Sequence, residues 1–413
     1  MTKGNDVAQR TESGPGRLPV LLPVLLDVSR LVWRAWAGRL PTGIDRVMLA
    51  YVAHYRHRAR AVVHGRRYTR VLPAALSRLL FDMLLGGSGK IPLSAILTAS
   101  FYTPLSRGTA GQPYLNVGHT GLHRANHGQW VARTRVRPVY LVHDLIPITH
   151  PQYCRAGEDH KHGQRVQTLL RCGAGVIANS VYTLDSLSGF ARTQGLPMPP
   201  HSVVAPLGVE PIWLAPPAQA ANQLRLDDDG RPYFLTLGTI EGRKNHILLL
   251  KVWRDLAAAL GDACPRLVIV GQRGWQCGEA TGLLDNSPVL RPHVTELADC
   301  GDDALLSLMA GARALLFPSF AEGYGLPLVE ALAVGTPVIA SNLEVFREIA
   351  GDIVTTLDPH DMLAWYNAVR DYAEPASRTR AAQLARLAEA DFRPPNWPDH
   401  FARVDRWLEE VAA

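Results

Sequence analysis

The chain of 413 residues is poor in features that would place it in a specialised class. It has only five cysteines, an odd number with no C-x-x-C pair, which argues against a disulfide framework and favours reduced thiols in a cytosolic protein. No apolar run reaches the ~18–20 residues that a membrane span requires. Charged residues make up 19% and apolar residues 47%, a balance that excludes a disordered chain and favours a soluble globular protein.

The length and the order of apolar segments indicate two domains, because 413 residues exceed what one ordinary core accommodates. Strand-like apolar runs alternate with helical stretches in both halves, which predicts an α/β fold with doubly wound parallel sheets. Residues 211–232 are rich in Pro, Ala, Gln and Asp and predict a linker. We therefore expect a first domain at 1–210, a second at 211–394 and a terminal helical segment at 395–413.

The net charge of +6 hides an asymmetry between the two halves. Residues 1–210 hold 25 Lys and Arg against 10 Asp and Glu, a balance of +15, whereas residues 211–413 have a balance of −9. A basic half favours an anionic membrane surface or a pyrophosphate-bearing lipid, and two domains with complementary surfaces is the alternative. Nucleic acid is not predicted, because no aromatic platform is interleaved with the basic cluster Arg56, Arg58, Arg60, Arg66, Arg67 and Arg70.

The most informative stretch runs from residue 317 to residue 332. A strand-like run is followed by a Gly-Tyr-Gly turn and then by Leu-Pro, which suits the first turn of a helix. Free N–H groups and the helix dipole at such a junction bind phosphate. Glu322 and Glu330 bracket the loop, and carboxylates accept hydrogen bonds from hydroxyl groups. A phosphate site beside hydroxyl-binding carboxylates suggests a sugar nucleotide, whose donor-binding residues here are Gly323, Tyr324, Gly325 and Leu326.

This segment resembles the signature of family-4 retaining glycosyltransferases of the GT-B fold. The match is Phe-Pro-Ser-x-x-Glu-Gly-x-Gly-Leu-Pro-x-x-Glu-Ala from residue 317, continued by residues 335–341. The resemblance implies two Rossmann-like domains facing across a cleft, with the last helix packed back on the first domain. It also implies that Glu322 lies by the donor sugar and that Glu330 holds the ribose hydroxyls. Without the resemblance, Glu322 would be interpreted as a helix cap and Glu330 as a solvated helix residue.

A second strand-to-helix loop carries the adjacent cations Arg243 and Lys244 a few residues after Gly238. Fixed cations stabilise the charge that develops on a departing diphosphate more than they stabilise the substrate. The family has an Arg and a Lys in this loop, which assigns Gly238 to the donor site and the two cations to catalysis. A solvated basic turn is the alternative.

Three further residues are candidates that depend on the resemblance. His143 follows a buried strand, where ligands bind in parallel sheets, and the resemblance implies that it touches the donor sugar; a structural histidine is the alternative. Gly43 resembles the family's early glycine loop and is otherwise a helix-entry turn. Asp302 is able to accept hydrogen bonds from a guanine base and is equally a good helix N-cap.

Two motif-like runs are rejected. Asp227-Asp228-Asp229 is formally a D-x-D metal–diphosphate motif, but it lies in the linker before a glycine and predicts a solvated turn. Residues 86–90 resemble a P-loop, but Leu84 replaces the required first glycine and Ile91 the required Ser or Thr. We therefore predict neither a catalytic metal nor any cofactor other than the donor nucleotide sugar.

The resemblance as a whole implies a hexosyltransferase. It would move a hexose, mannose in preference, from a nucleotide-diphosphate sugar to a glycan or polyprenyl-pyrophosphate-linked acceptor in bacterial exopolysaccharide or lipopolysaccharide synthesis. GDP-mannose is favoured over UDP-glucose because of overall similarity to polysaccharide mannosyltransferases. We expect a cytoplasmic enzyme and leave attachment to the inner face of the membrane open.

Other classes of protein remain as alternatives. A sugar-nucleotide epimerase or a phosphorylase shares the fold, although no lysine has the setting of a pyridoxal cofactor site. A non-catalytic sugar-nucleotide-binding scaffold is a third alternative. A dinucleotide oxidoreductase is disfavoured because no G-x-G-x-x-G follows a predicted strand.

Overall fold

The computed structural model describes residues 22–38, 42–65, 68–86, 94, 98, 108–214 and 230–413. Its strands are β1 Val24–Asp27, β2 Ala59–His64, β3 Thr69–Val71, β4 Pro113–Asn116, β5 Arg137–Val142, β6 Gly175–Ala178, β7 His201–Val204, β8 Tyr233–Leu237, β9 Arg266–Val270, β10 Val294–Leu297, β11 Leu315–Phe317, β12 Val338–Ser341 and β13 Thr355–Leu357. Its helices are α1 Ser29–Trp36, α2 Gly43–Tyr55, α3 Ala74–Leu84, α4 Ala125–Thr134, α5 Ile146–Thr149, α6 Glu158–Cys172, α7 Val181–Thr193, α8 His246–Leu260, α9 Gly278–Asn286, α10 Asp302–Gly311, α11 Leu326–Ala333, α12 Glu344–Ala350, α13 Met362–Ala373, α14 Arg378–Glu389 and α15 Trp397–Ala412.

The strands form two sheets, in the orders β3-β2-β1-β4-β5-β6-β7 and β10-β9-β8-β11-β12-β13. Every pairing between these strands is parallel except that of β2 with β3, which is antiparallel. The prediction of two doubly wound α/β domains is confirmed. Strand order reverses between β1 and β4 in the first sheet and between β8 and β11 in the second, and ligands bind beyond the carboxyl ends of strands at such switch points.

The apolar runs of the sequence form the buried strands. The side chains of β4, β6, β11 and β12 are buried along their whole length, as expected for parallel strands covered on both faces. The short antiparallel strand β3 was not predicted, because three residues with a central arginine carry no clear strand pattern.

The predicted linker begins inside the folded structure. Residues Pro211–Leu214 form a 3₁₀ turn, and Trp213 within it is fully buried. The prediction of a linker starting at 211 is therefore wrong for these residues, since burial of the indole fixes them to the core. Residues 215–229, which include the Asp227-Asp228-Asp229 run, lie outside the described residues, as do residues 87–90 of the P-loop-like run.

The helix α15 at the end of the chain lies on the first domain. The hydroxyl of Tyr51 is 2.9 Å from Nε2 of His400, and Asp405 accepts hydrogen bonds from Tyr55 at 2.8 Å and Arg58 at 2.6 Å. Pro398 lies in the first turn of α15, where a missing N–H costs no hydrogen bond. Within the described residues, no helix is both long and apolar enough to cross a membrane.

Candidate functional site

The loop after β11 meets the first domain at the carboxyl ends of β5 and β6. The backbone oxygen of Gly323 accepts hydrogen bonds from Thr183 Oγ1 at 3.1 Å and Ser180 Oγ at 3.3 Å. A Cβ atom at position 323 would lie 2.1 Å from the backbone oxygen of His143. Only glycine therefore permits this approach, which closes one side of an interdomain cleft.

Glu322 lies at the centre of a buried charged cluster. Its Oε1 is 2.6 Å from Nζ of Lys244 and accepts a hydrogen bond from Ser319 at 2.7 Å, while its Oε2 is 2.8 Å from Arg243. Burial opposes ionisation of Glu322, but Arg243 and Lys244 outweigh burial and lower its pKa to about 2. Glu322 is thus a carboxylate at neutral pH, and the interpretation of it as a helix cap is wrong, because Gly325 occupies the cap of α11.

A second carboxylate, Glu241, holds the guanidinium of Arg243. Glu241 Oε1 accepts hydrogen bonds from Arg243 at 2.8 and 3.1 Å, and Arg243 also donates to the backbone oxygen of Ala321 at 2.9 Å. Burial raises the pKa of Glu241, against the opposing effect of Arg243. Glu241 was not predicted from the sequence, although a carboxylate two residues before the predicted cation was a visible signal. The arrangement orients Arg243 before any ligand arrives.

Lys244 is enclosed by apolar and backbone groups. Its Nζ lies 4.8 Å from the centre of the Phe317 ring, and its side chain covers Gly238, where a Cβ would approach Cε to 3.2 Å. Burial lowers the pKa of Lys244, an effect that Glu322 opposes. Arg243 and Lys244, whose side chains are 19% and 11% exposed, are therefore largely enclosed cations with carboxylate partners, not the solvated basic turn that was the alternative.

Glu330 is buried in α11 and contacts the first domain. Its Oε1 lies 2.9 Å from Arg46 of α2, and only 2% of the residue is exposed. Burial raises the pKa of Glu330, an effect that Arg46 opposes. The interpretation of Glu330 as a solvated residue is wrong. Arg46 was not predicted, although it stands three residues after Gly43, because local patterns carry no information about a partner in the other domain.

The entry of α2 is built from a charged capping network. Asp45 accepts hydrogen bonds from the backbone and hydroxyl of Thr42, each at 2.7 Å, and pairs with Arg30 at 2.7 Å and Arg34 at 2.8 Å. Gly43 is the exposed first residue of this helix, and a Cβ added there would have no atom within 4 Å. The network explains the helix start without a role for Gly43 in ligand binding.

His143 is buried at the end of β5 and is neutral at pH 7. Its Nε2 lies 2.7 Å from the backbone oxygen of Val117, so Nε2 carries the proton and Nδ1 keeps a lone pair. Burial lowers the pKa of His143, and the hydrogen bond to Val117 and the charge of Asp144 only partly oppose it. His119, with its ring centre 5.6 Å away, donates in the same way to Leu141. A neutral His143 is able to accept a hydrogen bond from a hydroxyl group.

The remaining residues that were predicted to bind the donor sugar nucleotide also hold the loop after β11 in place. Tyr324 is buried and donates its hydroxyl to the backbone oxygen of Leu207 at 3.1 Å, so its side chain ties the loop to the first domain. Gly325 has φ of 113°, and a Cβ there would lie 2.7 Å from the Phe346 ring. Leu326 begins α11, so the backbone N–H groups of this turn are those of a helix start.

Asp302 lies on the surface at the start of α10. Gly301 is the N-cap residue and Asp302 the first helical residue, so the interpretation of Asp302 as the N-cap is wrong. Its charge raises the pKa of Glu330, which places the two carboxylates within electrostatic range. Across the described ranges, no group of three or more His, Cys, Asp or Glu side chains is arranged to hold a metal ion.

The two doubly wound domains, whose strand ends face each other across a charged cleft, have the GT-B fold. Residues 221–386 match the family model described as glycosyl transferases group 1. The prediction of the GT-B fold from the sequence is confirmed, and the match is to a family model of glycosyl transferases.

Several curated proteins are similar to parts of the chain. The serotype-specific mannosyltransferase WbdA of Escherichia coli is 28% identical over 218 residues, which are 51% of this chain and 26% of that protein. O-antigen chain mannosyltransferase B of Escherichia coli is 35% identical over 32% of this chain and 34% of its own length. D-inositol 3-phosphate glycosyltransferase of Rhodococcus jostii is 26% identical over 67% of this chain and 63% of its own length. The match thus covers less than two thirds of each relative's length.

Solved structures share the fold along almost the whole chain. HepE from Anabaena, in complex with UDP and glucose, has a TM-score of 0.68 at 17% identity, covering 94% of this chain and 99% of that one. Sucrose-phosphate synthase from Thermosynechococcus elongatus has a TM-score of 0.60 at 17% identity, with the same coverage. At this identity the likeness establishes the fold.

Proposed function

We propose that the chain is a retaining hexosyltransferase. It moves a hexose, mannose in preference, from a nucleotide-diphosphate sugar to a glycan or lipid-linked acceptor in bacterial surface polysaccharide synthesis. The observation that carries the proposal is the buried cluster in which Glu322 contacts Arg243 and Lys244 at 2.8 and 2.6 Å. Mannose is supported by the partial similarity to WbdA and to O-antigen chain mannosyltransferase B.

The cluster is electrically balanced, which has a consequence for donor binding. Two cations, Arg243 and Lys244, face two carboxyl groups, Glu241 and Glu322. A diphosphate brings further negative charge, so its oxygens compete with Glu322 for the same N–H donors. Displaced from the cations, Glu322 accepts hydrogen bonds from sugar hydroxyls, as the sequence resemblance implies. Glu241 keeps Arg243 oriented throughout the exchange.

The catalytic roles of these residues follow from the negative charge that develops on the leaving diphosphate. Arg243 and Lys244 stabilise that charge, and the buried setting strengthens the interaction. In a retaining reaction the acceptor hydroxyl attacks the face from which the diphosphate leaves, so a departing phosphate oxygen takes the proton. Neutral His143 accepts a hydrogen bond from a donor hydroxyl through Nδ1. The contact of Gly323 with the first domain excludes water, which otherwise competes as acceptor.

We assign the nucleoside to the part of the interdomain cleft near Glu330 and Asp302. Glu330 accepts hydrogen bonds from the ribose hydroxyls after it is released from Arg46, and Asp302 accepts from a guanine base. GDP is therefore favoured over UDP. The N–H groups of residues 323–326 face the diphosphate at the start of α11.

The reaction is proposed to need no metal and no cofactor besides the donor. Activity should therefore survive EDTA, because Arg243 and Lys244 supply the positive charge that a metal would otherwise provide. Loss of activity in EDTA that manganese restores would contradict this part of the proposal. Attachment to an anionic membrane surface is supported only by the balance of +15 in residues 1–210.

Thermal unfolding in the presence of GDP, UDP, ADP and their common sugar conjugates tests the donor site. A ligand at 100 times its Kd adds about 2.7 kcal/mol to the free energy of unfolding, which such an assay detects. We expect stabilisation by GDP conjugates in the wild type and its loss in Glu330→Ala. No stabilisation by any of these nucleotides would contradict the proposal.

Product analysis separates the proposal from its alternatives. A transferase releases nucleoside diphosphate only when an acceptor is supplied, and NMR of the product shows the donor's anomeric configuration retained. An epimerase converts the sugar nucleotide without acceptor, a phosphorylase requires inorganic phosphate, and a scaffold binds without turnover.

A further inference from the structure

A pocket of about 420 Å³ lies in the first domain, apart from the interdomain cleft. Its walls are β3, residues 108–110 before β4 and the last turn of α4 with the residue that follows it. Residues 108–110 and Arg135 lead into the amino ends of β4 and β5, whereas the candidate active site lies beyond carboxyl ends. The pocket is therefore a separate place on the molecule.

Three arginines line the pocket without any carboxylate beside them. Arg70, Arg133 and Arg135 belong to the lining, and no Asp or Glu does. No ion pair within the described part of the chain involves these three side chains. The Nε of Arg70 is also buried and has no hydrogen-bond partner. A buried N–H without a partner costs free energy, so an acceptor that binds in the pocket would stabilise Arg70.

The other polar groups of the pocket are already engaged. Thr69 Oγ1 lies 2.7 Å from a ring nitrogen of His64, Thr109 Oγ1 donates to the backbone of Thr134 at 3.3 Å, and Thr134 Oγ1 donates to the backbone of Trp130 at 2.7 Å. Trp130 is only 4% exposed and presents little ring surface. The pocket thus offers guanidinium groups, with neither free hydroxyls nor an aromatic face for a sugar or a base.

We propose that this pocket binds a phosphate group, either free or in the headgroup of an anionic lipid. Guanidinium groups match the geometry of phosphate oxygens and form short, charge-assisted hydrogen bonds with them. The bound anion supplies a partner for Arg70 in a lining that has three arginines and no carboxylate. Residues of the first domain alone form this site, and the proposal does not depend on the transferase reaction.

The test compares two triple variants of the whole chain with equal loss of charge. The pocket variant is Arg70→Gln, Arg133→Gln and Arg135→Gln. The matched control replaces Arg78, Arg171 and Arg192 by Gln, three exposed arginines of the first domain that do not line the pocket. Without phosphate, the pocket variant should unfold at about the same temperature as the wild type, because the three arginines form no ion pair within the described residues.

Inorganic phosphate, titrated at constant ionic strength with chloride, is the soluble probe. We expect it to raise the unfolding temperature of the wild type and the control, and to bind the pocket variant at least ~10-fold more weakly. Co-sedimentation with phosphatidylcholine vesicles, with or without phosphatidylglycerol, is the lipid probe. Selective loss of vesicle binding in the pocket variant identifies a lipid headgroup as the source, and selective loss of the phosphate effect alone identifies a free phosphate.

Equal behaviour of the two triple variants with both probes would overturn the proposal, because the effect would then be one of net charge. The absence of any response of the wild type to phosphate and to vesicles would overturn it as well. If the pocket variant fails to fold, Arg133→Glu provides the same comparison at one exposed position, with Arg171→Glu as its control.

Discussion

At the scale of single residues, the candidate site holds carboxyl groups whose pKa values move in opposite directions. The pKa of Glu322 is lowered to about 2 because two cations outweigh its burial, whereas burial raises the pKa of Glu330 against one partly exposed arginine. In the sequence motif the two positions look alike, because both are glutamates. Their different surroundings predict opposite effects on stability when each is replaced by glutamine.

Glu322→Gln should lower the free energy of unfolding at neutral pH. The usual pKa of 4.5 falls to about 2 in the folded protein, so the ionised group contributes on the order of 3 kcal/mol. This contribution is complete above pH ~4.5 and is lost as the pH falls towards ~2. Denaturant unfolding should therefore show a difference between wild type and variant that shrinks as the pH falls from 5 to 2. A difference that stays constant over this range would show that the two cations are not its cause.

Glu330→Gln should have the opposite effect. A raised pKa means that the folded state disfavours the carboxylate, so stability from this group is present below its usual pKa and is lost as the pH rises above it. The variant should be as stable as the wild type near pH 4 and more stable at pH 7 to 8, while binding of the nucleotide is weaker. Urea unfolding and calorimetry measure the two effects. A variant less stable at pH 8 would show that the pair with Arg46 outweighs burial.

Lys244→Ala should reduce turnover at least ~100-fold while leaving donor affinity less changed, because the lysine stabilises charge that develops on the leaving diphosphate. The fold should survive, since Glu322 keeps Arg243 and Ser319 as partners. Lys251→Ala is the control, because Lys251 lies on the neighbouring helix α8 and pairs with exposed Glu279. Single-turnover kinetics with the donor measure this effect. A near-wild-type rate would show that Lys244 has no catalytic role.

At the scale of elements, the sequence predicted strands and helix starts well and contacts between domains poorly. Continuous apolar runs predicted β5 and β11, because burial on both faces of a parallel sheet leaves a local pattern. The glycine and proline residues after β11 predicted the start of α11. The partner of Glu330 is Arg46, 284 positions earlier in the chain by number. No local periodicity records such a pair, so the donor loop was predicted and its contact with the first domain was not.

Gly323→Ala tests whether the closely packed loop after β11 is needed for activity. The added Cβ would lie 2.1 Å from the backbone of His143, which has no side-chain freedom to move away, so the two domains must separate. Turnover should fall at least ~100-fold through misplacement of the donor site, and small-angle scattering should show a larger radius of gyration.

Gly282→Ala is the matched control for this prediction. Gly282 lies in α9 of the same domain, and a Cβ there meets no atom within 4 Å. The control should keep its activity and radius. An active, compact Gly323→Ala variant would show that the cleft is wider in solution than in this structure.

At the scale of the whole molecule, contacts on both sides of the cleft join the two domains. Glu348 of α12 accepts hydrogen bonds from the backbone N–H groups of Val181 and Tyr182 at 2.7 and 2.9 Å, at the start of α7. The ring of Phe320 stacks on that of Tyr153 with centres 4.7 Å apart. The terminal helix α15 then returns to the first domain. We therefore expect the two domains to unfold in one cooperative transition.

Asp405→Asn should weaken this coupling. Burial opposes ionisation of Asp405, but hydrogen bonds from His54, Tyr55 and Arg58 outweigh it and lower its pKa, so its charge is part of the contact between α15 and the first domain. Loss of that charge should cost about 1–3 kcal/mol and lower or split the transition seen by differential scanning calorimetry. Glu410→Gln, at an exposed position of the same helix, is the control and should leave the transition unchanged. If both variants unfold like the wild type, the terminal helix does not couple the domains, and their joint stability must come from the contacts around Gly323 and Glu348.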